Sequence, residues 1–331
     1  MRAVAEAHAS QGASMTRYQT LAVTTVLATL LLIAIGAVVR TTGSGLGCPD
    51  WPLCHGQLLP PAERTAIIEY SHRTTAAIVG VLVLATVSVT LLRHREDRVL
   101  RNLAIAAVPM LGLQAWLGKE TVERELPPEI VTVHLGTALV LLTMLILLAA
   151  FAYLGPDRRR LEGGERATFV RLGVAVAAIL MLVVLGGSYV VGSDATAACT
   201  TWPGCAQAPV PFLDGVAEQH IHWAHRLSTL AGFVAVGLLA LASTDLRGAN
   251  AAPLRRASLV LLVLYVGQML LGAANIWTDF ASSVRAVHLA GGATLWGLAV
   301  LIIVGASYQP GPRRREAPAP EPAGEREAAR A

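Results

Sequence analysis

Two short stretches concentrate the chemically active residues of this chain, Glu69-Tyr70-Ser71-His72-Arg73 and His222-Trp223-Ala224-His225-Arg226. In each, an ionisable residue stands three positions before a His-Arg pair. Positions i and i+3 share a helix face, so each copy presents two groups able to move protons or bind a metal in one direction. An apolar run follows both, and ionisable groups in a membrane span are costly enough to argue for a purpose. Single histidines open two further apolar runs, in Val131-Thr132-Val133-His134-Leu135-Gly136 and Ala286-Val287-His288-Leu289-Ala290-Gly291.

These landmarks repeat. Cys199 and Cys205 follow Cys48 and Cys54 by 151 residues, His225 follows His72 by 153, and Gln268, Gly272 and His288 follow Gln114, Gly118 and His134 by 154. An offset that drifts so little over so many matched positions marks an internal duplication. The chain has 331 residues, 54% hydrophobic and 15% charged, which is too apolar for a soluble domain of this length. Eight runs are long enough to span a bilayer: 18–39, 70–92, 99–117, 130–154, 168–191, 217–242, 257–276 and 284–307. The expected fold is therefore an all-α integral membrane protein, with eight transmembrane helices forming two tandem four-helix bundles. A four-span unit preserves direction, so the halves are expected to show pseudo-twofold symmetry about an axis along the membrane normal.

The expected organisation is a cytoplasmic N-terminal segment at 1–17, a first repeat at 18–154, a linker at 155–167, a second repeat at 168–307 and a disordered tail at 308–331. The loops after the second, fourth and sixth spans hold twelve arginines against five lysines and arginines in the opposite loops. That bias puts both termini in the cytoplasm and the cysteine loops outside, in a multi-pass protein of the cell membrane. The polar first 16 residues and the long run after them argue against a cleaved signal peptide. The net charge of +4 is this topology signal, and no basic patch interleaved with aromatics points to nucleic acid.

All four cysteines lie in two matched pairs with Trp-Pro between them, Cys48/Cys54 and Cys199/Cys205. On the oxidising side these read as short-loop disulfides, and both a structural staple and a redox-active pair fit the spacing. The pairs lack the Cys-x-x-Cys spacing of common metal sites. His72, His134, His225 and His288 fall at similar depth near the outer ends of even-numbered spans. Two facing histidines within a four-helix unit can supply both axial ligands of a haem iron. Arg73 and Arg226 are candidate partners for haem propionates, with snorkelling to headgroups as the plainer alternative. Gln114 and Gln268 read as interhelical hydrogen-bonding residues. His8 and His94 read as solvated, and His55 and His220 as outer-surface residues.

A haem held by two histidines has no open iron position and transfers electrons. The halves differ at one place, since Glu69 stands where the second half has His222. A carboxylate on the face of His72 is placed to accept protons or stabilise a developing cation. An i,i+4 ion pair with Arg73 is the structural alternative.

Taken together, these features resemble the haem A synthases over residues 18–307: Glu-x-x-His-Arg opening the second span, His-x-x-His-Arg the sixth, single histidines the fourth and eighth, and the cysteine loops with Gly45-Leu46-Gly47-Cys48-Pro49-Asp50-Trp51-Pro52-Leu53-Cys54. The resemblance implies oxidation of a ring methyl of haem O to a formyl group, giving haem A for terminal oxidases. It implies that His72 and His134 hold the substrate haem, that His225 and His288 hold haem B, and that Glu69 is the catalytic carboxylate. The cysteine pairs match that family's outer-loop disulfides. A haem O synthase, oxidase assembly factors, and a quinone or other electron acceptor are the partners such a reading raises, beside membrane lipid. Two further readings stand beside it. One is a two-haem b-type cytochrome relaying electrons to or from quinone, which gives no reason for the Glu69/His222 difference. The other is a transporter, which would place its polar groups nearer mid-membrane.

Overall fold

A computed structural model describes residues 15–248 and 250–311. The expected N-terminal segment through residue 14, His8 within it, and the tail beyond residue 311 lie outside the described residues. Eight long helices account for most of the rest: α1 (Arg17–Thr41), α2 (Arg64–Arg93), α3 (Arg98–Glu123), α4 (Pro128–Leu154), α5 (Gly164–Gly192), α6 (Ala217–Ala242), α7 (Ala251–Trp277) and α8 (Ser282–Ser307). Each is long and apolar enough to cross a membrane. α2 and α7 begin well before, and α3 ends well beyond, the apolar runs that reveal them, because backbone hydrogen bonding continues past the hydrophobic stretch.

The caps are local. Thr16 and Gln19 exchange side-chain hydrogen bonds at the start of α1, with Gln19 N–H donating to Thr16 Oγ1 at 3.2 Å and Thr16 N–H to Gln19 Oε1 at 2.9 Å. Asp97 accepts from the Val99 and Leu100 amides at 3.1 and 3.2 Å to open α3. Its carboxylate is also held by the Arg158 guanidinium, which stacks over the Phe151 ring at 4.5 Å. Arg158 pulls the Asp97 carboxyl below the usual carboxylate range, with the capped amides adding to the effect. Asp97 itself lifts the Arg158 guanidinium above its ordinary value. Next to this pair, a two-residue strand β1 (Arg159–Arg160) pairs antiparallel with β2 (Tyr308–Gln309). The first residues assigned to the tail are thus tied to the linker between the repeats.

Neighbouring helices run antiparallel. α1 packs on α2, α2 on α3, α3 on α4 and α4 back on α1; α5 to α8 close a second ring in the same way. The rings meet through α1 with α8, α4 with α5, and α4 with α8. Exchanging the halves leaves that set of neighbours unchanged, in keeping with the expected twofold relation. The centre belongs to α4 and α8, whose most apolar windows are 44% and 50% buried against 28% or less in the other six. Across it, Trp296 Nε1 donates to Thr143 Oγ1 at 2.9 Å and to the Leu139 carbonyl at 3.2 Å. Within the first ring, hydroxyl pairs Tyr18–Thr90 and Thr25–Thr86, both at 2.8 Å, join α1 to α2. In an apolar solvent such bonds replace the hydrophobic effect as glue, at about 0.6 kcal/mol each.

This topology brings the N-terminal ends of α2, α4, α6 and α8 to the end of the molecule that carries both cysteine loops. The partial positive charge of four helix starts therefore gathers at one level.

Candidate functional site

The cysteine loops sit over the two bundles. Cys48 bonds Cys54 and Cys199 bonds Cys205, and no free cysteine remains among the described residues. Each loop is fastened by the arginine that follows a motif histidine. Arg73 donates to the carbonyls of Cys48, Asp50 and Leu53, all at 2.7 Å. Arg226 donates to the carbonyls of Cys199 at 3.3 Å, Pro203 at 3.2 Å, and Gly204. Tyr70 and Trp223 add a matched pair of bonds, to the Leu58 carbonyl at 2.5 Å and the Ala208 carbonyl at 2.8 Å. Asp50 stiffens the first loop by accepting from the Gly56 and His55 amides at 2.9 and 2.6 Å. Those bonds, the Gly56 amide first, hold its carboxyl below the ordinary range. Gly47 passes so close to the Thr65 carbonyl that a Cβ there would collide with the backbone. The two arginines thus have an occupation not foreseen from sequence: most of their donors hold loops, although both also line the cavities beneath.

Beneath each loop lies an apolar cavity, about 780 Å³ in the first half and about 530 Å³ in the second. His72 and His134 line the first, and His225 and His288 the second. His72 and His134 thus share one cavity and His225 and His288 the other, so the histidines associate in pairs within each half. Every one of the four has a buried Nδ1 with no hydrogen-bond partner among the described residues. An unpaired buried polar atom costs on the order of 1–3 kcal/mol, and meeting that cost four times at matched positions suits rings that bind something besides protein.

Glycines make room for the rings. The nearest side-chain atom that a Cβ would meet is His72 Cε1 at 3.1 Å for Gly36, His134 Cε1 at 3.4 Å for Gly118, His225 Cε1 at 3.0 Å for Gly187, and His288 Cε1 at 3.3 Å for Gly272. Gln114 and Gln268 make the interhelical contacts expected of them. Gln114 Oε1 accepts from Thr137 Oγ1 at 2.6 Å, and Gln268 Nε2 donates to the His288 carbonyl at 2.5 Å.

Glu69 is 5% exposed and lines the first cavity. Its Oε1 accepts from Arg73 Nε at 3.0 Å, so the ion pair weighed from the sequence is present, on the same helix face as His72. In the second half, His222 lines the cavity and its Nδ1 bonds the Ala195 carbonyl at 3.0 Å.

Two cationic residues escaped the reading of the sequence. Arg40 lines the first cavity and Arg285 the second, and the Nε of each is buried without a partner among the described residues. Arg40 Nη2 reaches across to the Val191 carbonyl of α5 at 3.1 Å. Arg40 follows the first predicted span and Arg285 lies just inside the last, so the hydropathy pattern counts both with the loops and gives no sign of their burial. They have no counterparts in the opposite half, so the repeat did not flag them. The donors suit the carboxylates of a tetrapyrrole. Together with four helix starts, four unpaired imidazoles and two apolar cavities, the residues present fit haem.

A family model described as "Cytochrome oxidase assembly protein", COX15-CtaA, matches residues 19–300. A protein of Alkalihalophilus pseudofirmus named "Heme A synthase" is 31% identical over 279 residues, covering 82% of this chain and 91% of its own. One of the same name from Symbiobacterium thermophilum is 34% identical over 260 residues, or 74% and 80% of the two chains. Another, from Bacillus licheniformis, is 30% identical over 217 residues, or 64% and 71%.

Proposed function

With the chain's membership of the COX15-CtaA family as the premise, we propose that it is a haem A synthase, an oxidoreductase that converts haem O to haem A for terminal oxidase assembly. The observation that carries the reading is the pair of matched cavities, each lined by two buried histidines, with a buried carboxylate at Glu69 in only one of them.

In this reading His72 and His134 hold haem O in the first half, and His225 and His288 hold haem B in the second. Haem B, when bound, supplies a one-electron centre. The reaction takes a ring methyl and one water to a formyl group, releasing four electrons and four protons. Glu69 accepts protons leaving the methyl or steadies positive charge developing there, since it is buried at the edge of the same cavity. Arg73 orients that carboxylate while fastening the loop that covers the cavity, and Arg226 fastens the other loop. Arg40 and Arg285 face the propionates, with Arg73 and Arg226 beside them. Water is the oxygen source, because a substrate iron held by two histidines has no position for molecular oxygen. The electrons pass to a quinone or another acceptor of the membrane. The protein lies in the cytoplasmic membrane with its termini inside, the cysteine loops outside, and a haem O synthase as the source of substrate.

The electron relay is disfavoured by the Glu69/His222 difference and by the names of the relatives. The deciding experiment is chromatography and mass spectrometry of haems extracted from the purified protein, expressed with and without a haem O synthase. Haem B alone without the partner, joined by haem A with it, is the expected result. Haem O bound but left unoxidised in the presence of an acceptor would leave only the relay. Growth in labelled water should label the formyl oxygen under conditions that prevent carbonyl exchange; label from molecular oxygen alone would rule out the proposed oxygen source.

A further inference from the structure

The two cavities differ in more than volume. On the first-half helix α2, the cavity is lined by Thr74, Ala76, Ala77, Val79 and Gly80, with Leu111 opposite on α3. At the offsets that align the histidines, the second half has Leu227, Thr229, Leu230, Gly232 and Phe233 on α6, with Tyr265 on α7. Within the cavity linings, Thr74 and Ala77 on α2 thus correspond to the larger Leu227 and Leu230 on α6, and Leu111 on α3 corresponds to Tyr265 on α7. A Cβ at Gly80 would meet nothing within 4 Å. In the second half, by contrast, Tyr265 is fully buried, donates to the Thr229 carbonyl at 2.8 Å and packs against Gly232, closing the α6–α7 seam. Ala77 beside the first cavity and its counterpart Leu230 beside the second are both exposed, so the two walls differ in the bulk they carry along that side.

Haem O differs from haem B in bearing a long isoprenoid tail. A tetrapyrrole site that must take such a tail needs an apolar exit beside the ring, and a site that must refuse it needs that exit filled. We propose that the small-residue side of the larger, first cavity, along Ala76, Ala77 and Gly80 beside Leu111, seats the isoprenoid tail of haem O. Leu227, Leu230 and Tyr265, which line the second cavity, exclude such a tail from it, and this division lets one chain sort two haems between two near-identical ligand pairs. The inference rests on the assignment of haem O to the first half and haem B to the second.

The test uses the full chain co-expressed with a haem O synthase, with extracted haems quantified by chromatography and mass spectrometry. Ala77→Leu/Gly80→Phe is expected to lower the combined haem O and haem A content at least tenfold while haem B stays at its wild-type level. Retained haem B shows that the variant folds. The reverse set, Leu227→Thr/Leu230→Ala/Tyr265→Leu, is made in a His72→Ala background so that only the second cavity holds haem. It should then carry haem O, where His72→Ala alone carries haem B. If the filled first cavity still takes haem O at wild-type level, or the opened second cavity still takes only haem B, tail exclusion is wrong. Should the Ala77/Gly80 variant not accumulate, the reverse set decides alone, since it only removes bulk. A separate result tests the premise: if His225→Ala rather than His72→Ala removes haem O from an otherwise unchanged chain, the assignment of the halves is overturned.

Discussion

The two halves of this molecule are the same device built twice and then altered at a few positions. Both have a cysteine loop tied down by an arginine, an aromatic residue bonding the loop, two histidines cleared by glycines, and a glutamine between the third and fourth helices of the unit. They differ at Glu69 against His222, in the cavity wall along α2 and α6, and in the buried cation, Arg40 in one and Arg285 in the other. In the proposed reading, duplication kept what any tetrapyrrole site requires and changed what decides which one is bound, so that an enzyme half and an electron-transfer half need only a handful of substitutions between them.

The comparison breaks most visibly at Glu69. Glu69→Gln keeps a hydrogen-bond acceptor for Arg73, so haem content should stay at the wild-type level. The rate of haem A formation should fall by roughly 10²- to 10⁴-fold, the range of a lost general acid–base group. Normal turnover would reduce Glu69 to a partner of Arg73. Next come the cations: Arg40→Leu and Arg285→Leu should each weaken one haem and spare the other, by about tenfold in affinity for a lost charge-assisted bond. Haem titration of the apoprotein with absorbance detection separates the two sites, and equal loss at both would erase the assignment of one cation to each half.

A stability difference sharpens the comparison away from the cavities, because the Asp97–Arg158 pair ties down the first half. Arg158 holds the Asp97 carboxyl below its unfolded value. The stabilisation is therefore complete above the unfolded carboxylate pKa of about 3.9 and lost as pH falls through the lower folded value. Asp97→Asn should cost about 2 kcal/mol at neutral pH, combining a weakened cap with a lost charged bond. It should also flatten the acid limb of the melting curve in detergent; an unchanged acid limb would assign that limb to other carboxylates. The smallest effect is expected at the seam between halves, where Trp296→Phe removes a cross-bundle donor. A loss of about 0.6 kcal/mol with both haems retained would show that the halves dock mainly by packing.

Much of this was written along the chain. Hydropathy is local, so the eight helices are legible from composition alone, and matched spacings expose the repeat without any knowledge of contacts. The pairing of near cysteines follows from loops too short to offer other partners. Helix ends were less legible, since α2 and α7 start well before their apolar runs with no side-chain cap to mark the place. The occupations of Arg73 and Arg226 were hidden because carbonyls of a folded loop leave no mark in a sequence. Arg40 and Arg285 were hidden because burial depends on which helices meet.

Sequence by itself determined the secondary structure, the duplication and the residue types available for chemistry, because these rest on neighbours a few positions apart. Tertiary structure alone decided that His72 shares a cavity with His134 and not His288, that Glu69 lines the cavity of one pair only, and that one cavity is larger than its twin. Those outcomes depend on helices that are distant in the chain and adjacent in space, where the size of one side chain sets the room left for another.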